Sequence, residues 1–225
     1  MAKLTWDQIG TRQYETGTDH GALFVHDKTG KTGTGVAWSG LTKVTESPEG
    51  GEETALYADN IKYLSLYSVE TLGGTIEAYT YPDEFEACDG SATIGEGAVL
   101  GQQGRQPFSL AYRTIVGTDT DPHAGYKLHL LWNLTASPSE RAHETVNETP
   151  GALIFSWGFK STAVPVVTEG YQPTSVATID STVCPEEKFK AVEDLIYGTA
   201  EKEASMPTPD ELIALLKNIS PAPEV

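Results

Sequence analysis

A mainly β fold is predicted for this 225-residue chain: a β-sandwich or partly closed barrel of about eight strands, with two short helices at the C-terminal end. Three observations predict it. Period-2 alternation recurs in segment after segment, Gly, Pro, Asn and Asp punctuate those segments at short intervals, and helical periodicity starts only near residue 180.

The strands follow in order. "GVAW" at 35–38 reads as a short strand after a Gly-rich turn. "IKYLSLYSVET", "GGTIEAYTYP", "QPFSLAYRTIVG" and "PTSVATID" are rich in β-branched and aromatic residues. In "YKLHLLWNLT", Leu128, Leu130, Trp132 and Leu134 fall on one face and Lys127, His129, Asn133 and Thr135 on the other, the pattern of a half-buried strand. In "GALIFSWGFK", Leu153, Phe155, Trp157 and Phe159 alternate with smaller residues. Turns are expected at "PEGG", "ADN", "LGG", "GTDTDPHAG" and "SPS".

The tail changes period. In "CPEEKFKAVEDLIYG", Phe189, Val192, Leu195 and Ile196 recur at three- and four-residue spacing, with Pro185 opening the helix and Gly198 closing it. "TPDELIALLKNI" places Thr208 at the N-cap and Glu211 three residues on, a capping box ahead of Leu212, Leu215, Leu216 and Ile219. The expected organisation is a β domain over 1–180 and a helical segment over 181–225. Each amphipathic helix needs a surface for its apolar stripe, on the same subunit or on a neighbour.

The chain has 15 basic and 32 acidic residues, a formal charge of −17. Phosphate binding needs a basic footprint, so specific nucleic-acid binding is not expected. Cys88 and Cys184 form no CxxC and read as free thiols. "MAKLTWDQIG" lacks the apolar stretch of a signal peptide, and no run has the length of a membrane span. The sequons at Asn133, Asn147 and Asn218 therefore read as chance matches, in a protein made in the cytosol.

Chemistry-bearing motifs are weak. "DKTGKTGTG" contains GKT, but the glycine that a phosphate loop needs is Val25, and strand rather than helix follows. His20 and His26 beside Asp19 and Asp27 lack metal-ligand spacing and a third ligand. His129 sits on the polar face of its strand, and His123 and His143 in loops. The strongest catalytic candidates are Glu77, Asp83, Glu84 and Glu86 of "IEAYTYPDEFEACDG", near Tyr79, Tyr81 and Phe85. A carbohydrate-binding or glycan-hydrolysing β-sandwich using Glu77, Asp83 or Glu84 is thus the alternative function. No serine lies in a nucleophile elbow, and no cofactor is expected.

A longer pattern is more specific. "GVAWSGLTKVTESPEGGEETALYADNIKYLSL" precedes "GGTIEAYTYPDEFEACDG". "QQGRQPFSLAYRTIVG", "YKLHLLWNLTASPSER", "SWGFKSTAVPV", "ATIDST", "FKAVEDLIYG" and "MPTPDELIALL" then follow in unbroken order. From about Tyr14 onward this series resembles the major tail protein, or tail tube protein, of bacteriophages with long non-contractile tails. The resemblance implies a non-enzymatic virion protein whose homo-hexameric rings stack into a tube, assembled in the host bacterial cytoplasm. Tape measure, tail-terminating and distal tail proteins are the implied partners. Double-stranded DNA is implied to pass through the bore without specific binding, for which an acidic lining is suited.

It further implies that the hairpin stretch Glu46, Ser47, Pro48, Glu49, Gly50, Gly51, Glu52 and Glu53 reaches the adjoining ring. Its acids would face basic groups such as Lys3, Arg12 or Lys43. Glu77, on the strand after a glycine pair, is a candidate for lining the lumen.

Overall fold

A computed structural model describes residues 4–143, 145 and 151–218. Lys3, Asn147 and Ile219, named above, lie outside them. The fold is mainly β, dominated by one eight-stranded antiparallel sheet. Its strands are β1 (Gln13–Val25), β2 (Val36–Trp38), β3 (Leu41–Glu49), β6 (Thr71–Ala78), β9 (Phe108–Thr118), β10 (Gly125–Ala136), β11 (Phe155–Ser161) and β12 (Val176–Asp180). Two hairpins stand apart from it: β4 (Glu53–Ala58) with β5 (Ile61–Tyr67), and β7 (Ala92–Gly95) with β8 (Ala98–Leu100). Three short helices complete the chain, α1 (Glu86–Asp89), α2 (Glu186–Ile196) and α3 (Pro209–Asn218).

The sheet runs β2-β1-β9-β10-β11-β6-β3 and does not close into a barrel. β10 is its pivot. Lys127–Leu131 pair with β12, whereas Leu134–Ala136 pair with β11. The switch occurs at a register shift between Leu131 and Leu134, where Asn133 has a φ of +52° and its side-chain amide donates to the Thr162 carbonyl. Asparagine is one of the few residues that takes this left-handed conformation readily.

That bulge corrects the expected face assignment. Leu128, Leu130 and Trp132 share one buried cluster, but Leu134 joins Leu131 in the other. β10 is also no half-buried strand, because the central strands are covered on both faces. On one side Leu23, Leu110, Tyr112 and Leu131 pack with Ile76 and Ala78 of β6 and with Trp157 and Phe159 of β11. On the other, Ala22, Phe24, Ala111, Leu128, Leu130 and Trp132 pack with Phe189, Val192 and Ile196 of α2 and Leu212 of α3. Since β1 and β6 share a core and β1 touches β3, the path folds back over itself.

The helices form as their signals dictate. In α3 the Thr208 hydroxyl accepts from the Glu211 amide at 3.2 Å, and the Glu211 carboxylate accepts from the Thr208 amide at 2.8 Å, a reciprocal capping box. Pro185 is the N-cap of α2, and Gly198, at φ +76°, follows its last turn. A β-carbon at Gly198 would meet the Ala204 amide at 2.9 Å, so both conformation and space require glycine there. Trp132 Nε1 donates to the Pro207 carbonyl at 2.8 Å, tying the approach to α3 to the sheet. The helices therefore pack on their own chain's sheet.

Candidate functional site

Residues 50–70 leave the sheet as an arm. β3 and β6 stay paired as far as Glu49 opposite Thr71, and the ribbon continues through reciprocal contacts between Glu52 and Ser68 into β4 and β5. On one side the root is Gly50 (φ +100°) and Gly51 (φ +70°); a β-carbon on Gly50 would meet the Val69 carbonyl at 2.5 Å. The far end is a two-residue turn of Asp59 and Asn60, both at positive φ, the conformation that lets a tight hairpin follow the strands' twist.

The expected placement of the acidic stretch is corrected here. Glu46–Glu53 is not a hairpin tip. Glu46–Glu49 lie within β3, Gly50 and Gly51 are the root, and Glu53 begins β4. The tip lies at Asp59 and Asn60. "IKYLSLYSVET" is a strand, but one in the arm rather than in the core.

Among the described residues the strands of the arm pair only with each other. Apart from half-buried Ala55 and Ser65, every residue of β4 and β5 is exposed. Leu56 opposes Leu64, and Leu66 shares their face. Tyr57, Tyr63 and Tyr67 are each about 70% exposed, at 72%, 69% and 69%. An isolated two-stranded ribbon is at best marginally stable in water.

Most of the root acids are engaged within the chain. Glu46 is half-buried, accepting from the Tyr112 hydroxyl at 2.5 Å and lying 3.6 Å from His129 Nδ1. Glu49 meets Lys160 at 3.4 Å, and Glu53 meets Lys62 and Ser65. Of the expected basic partners, Lys43 lies 3.5 Å from Glu77 and Arg12 donates to the Asp7 carbonyl.

A polar network backs this root. The His129 ring stacks on Tyr112 (centroids 4.7 Å apart, planes at 5°) and lies between Glu46 and Glu15. Glu15 also takes Lys127 at 2.6 Å and the Thr114 hydroxyl at 2.6 Å. Burial pushes the Glu46 carboxyl up, but the interactions with His129 and Tyr112 outweigh it and leave it below the ordinary 4.5. Glu15 is similar: burial raises it, and Lys127 and Thr114 bring it below 4.5. A depressed carboxyl contributes stability above its unfolded value and loses it as pH falls through the folded one. Urea denaturation should therefore show the gap between wild type and Glu46→Gln closing as the pH falls below 4.5. A gap that is constant with pH would refute this account of Glu46.

The catalytic candidates divide between two places, with Glu77 apart from Asp83, Glu84 and Glu86. Glu77 lies on the outer side of β6 against Lys43. Asp83 and Glu84 belong to a 3-10 turn whose Phe85 is fully buried against Trp38 (4.7 Å), Trp157 (5.0 Å) and Phe108 (5.3 Å). Tyr81 is packed against Phe155 and Trp157, while Tyr79 is exposed. Asp83, Glu84 and Glu86 line a cleft with Lys28 and Arg105, of which Glu77, Tyr79 and Tyr81 form no part. "PDEFEAC" is thus best explained by the plug Phe85 and the buried Cys88, with the acids turned outward.

"DKTGKTG" is a turn closed by bonds between Asp27 and Lys31 and between Gly30 and Asp27, and β2 follows it. His26 is buried and bonded to Ser109 at 2.9 Å, and His20 lies against Arg113. Cys88 and Cys184 are both free, and burial pushes the Cys88 thiol up to about 12. Among the described residues no group of three or more His, Cys, Asp or Glu could hold a metal, and no helix is long and apolar enough to cross a membrane. No protein-family model matches the chain, and no curated protein does.

Proposed function

We propose that this chain is a structural subunit of a phage tail tube, a non-enzymatic protein that self-assembles into stacked hexameric rings around a conduit for double-stranded DNA. The carrying observation is the arm, a ribbon with Leu56, Leu64, Leu66 and three tyrosines held in solvent. Apolar surface of this kind favours a partner, and tyrosine is enriched at interfaces. An arm on one side of a subunit meets a different surface on the next, and such head-to-tail contacts generate rings and filaments. In this reading the fold is the β-sandwich or partly closed barrel of tail tube proteins, with β3, β6 and β11 as one layer.

The arm, rather than the acids at its root, makes the inter-ring contact, and Glu46–Glu53 set its take-off. Glu77 lies on the outer face of the β3–β6–β11 layer, the face proposed to line the bore. The −17 charge keeps such a bore from holding phosphates. Tape measure and tail-end proteins are the proposed partners, and the virion tail the proposed location. Negative-stain microscopy of concentrated protein should show rings or tubes; a chain monomeric under all conditions and absent from tail preparations would overturn the reading.

A further inference from the structure

We propose that His129 is a proton-operated latch on the root of the arm: doubly protonated, its ring bridges Glu46 of β3 and Glu15 of β1, and singly protonated it releases Glu46. The consequence for assembly rests on the arm reading above; the latch itself belongs to the single subunit.

Donor accounting fixes one proton on the ring. Thr114 has a single hydroxyl proton, and at 2.6 Å from Glu15 Oε1 it donates there, because a carboxylate can only accept. The same hydroxyl oxygen lies 2.9 Å from His129 Nε2 and must therefore accept from it, so Nε2 carries hydrogen in both states. The second proton belongs to Nδ1. This atom faces Thr178 Oγ1 at 3.4 Å and Glu46 Oε1 at 3.6 Å. Without that proton, Nδ1 turns a lone pair toward a carboxylate, and Thr178 is the donor able to satisfy it. With it, a small ring rotation closes a charge-assisted bond to Glu46.

The surroundings make Glu46 the group that responds. Glu15 of β1 has a second cation, Lys127 of β10, which Asp180 of β12 also attracts. Glu46 has His129 as its only cationic partner among the described residues, and the Glu15 charge works against it. Tyr112 of β9 donates to Glu46 in either state and offers its ring face to the imidazolium, a favourable cation–π geometry. His129 is itself nearly buried, its side chain 12% exposed, so water compensates little. Glu46 lies four residues before Gly50, and β3 is the sheet's end strand, bonded to β6 alone. Fixing Glu46 fixes the base of the arm. Imidazoles in general change charge between about pH 5 and 8, and the two pH values of the test span that range.

The experiment is amide hydrogen exchange of the full chain at pH 5.5 and 7.5, corrected for intrinsic rates, in wild type, His129→Gln and Glu46→Gln. Wild-type β3 amides should lose about tenfold protection at the higher pH, the scale of one charge-assisted hydrogen bond. Both variants should resemble wild type at pH 7.5 and show no pH response. If a variant fails to fold, the wild-type comparison and the carbon-bound imidazole resonances of His129 still decide the matter. Equal β3 protection in wild type at both values, or a pH response kept by His129→Gln, would overturn the latch. Tube length at the two pH values is read in parallel. Absence of tubes at both would count against the tube reading and leave the exchange result standing.

Discussion

Removing residues 52–68, so that Gly51 joins Val69, is expected to abolish tube formation and leave the fold intact. The backbone permits the excision because Glu49 and Thr71 are already paired, so Gly50, Gly51, Val69 and Glu70 remain as a short turn between β3 and β6. Gly50 and Gly51 both have the positive φ that tight connections need. No buried residue is lost. Folding stability by urea denaturation should accordingly stay within about 1 kcal/mol of wild type, as for surface changes in general.

Assembly should respond quite differently. The deletion takes away Leu56, Leu64, Leu66 and three exposed tyrosines, a row of apolar side chains held in solvent. Microscopy should find monomers or isolated rings. Leu64→Lys with Leu66→Lys should reproduce the defect without shortening the chain. Changing Glu49, Glu52 and Glu53 to Gln should shorten tubes far less, since exposed ion pairs such as Glu49–Lys160 and Glu53–Lys62 contribute little. Tubes of normal length from the deletion variant would remove the arm from the assembly contact altogether.

Much of the fold is legible in the sequence because local rules and tertiary context agree. "PTSVATID", "SWGFK" and the two capped helices appear where their periods and end signals put them. β1 is less legible. Its pairing to β9 slips twice, between Thr16 and Asp19 and between Asp19 and Ala22, with His20 at φ +50°, so its alternation is broken along its length. A similar bulge moved Leu134 to the other core. The arm's strands carry ordinary β signals, but propensity does not distinguish a ribbon in a core from one in solvent. The Glu15–Tyr112–His129–Glu46 network draws one residue from each of four strands. Only the pairing of those strands makes His129 more than a polar-face histidine.

The helical segment reverses the lesson of the arm. It reads as a terminal appendage, yet ending the chain at Asp180 should destroy the fold. Phe24, Leu128, Leu130 and Trp132 would lose their cover, and Trp132 Nε1 and Arg113 would lose Pro207 and Glu193 as partners. Phe189, Val192, Ile196 and Leu212 are each at most 5% exposed. A buried side chain of that size contributes about 1.5–3 kcal/mol. Four together give roughly 6–12 kcal/mol, comparable with the 5–15 kcal/mol that holds a typical domain folded. The truncated chain should therefore lose near-UV circular dichroism and bind ANS, the marks of a core without fixed packing. Ile196→Ala offers a milder variant that still folds, with an expected loss of about 2–5 kcal/mol. A truncated chain that unfolds cooperatively at the wild-type midpoint would show that the sheet covers its own second face without the helices.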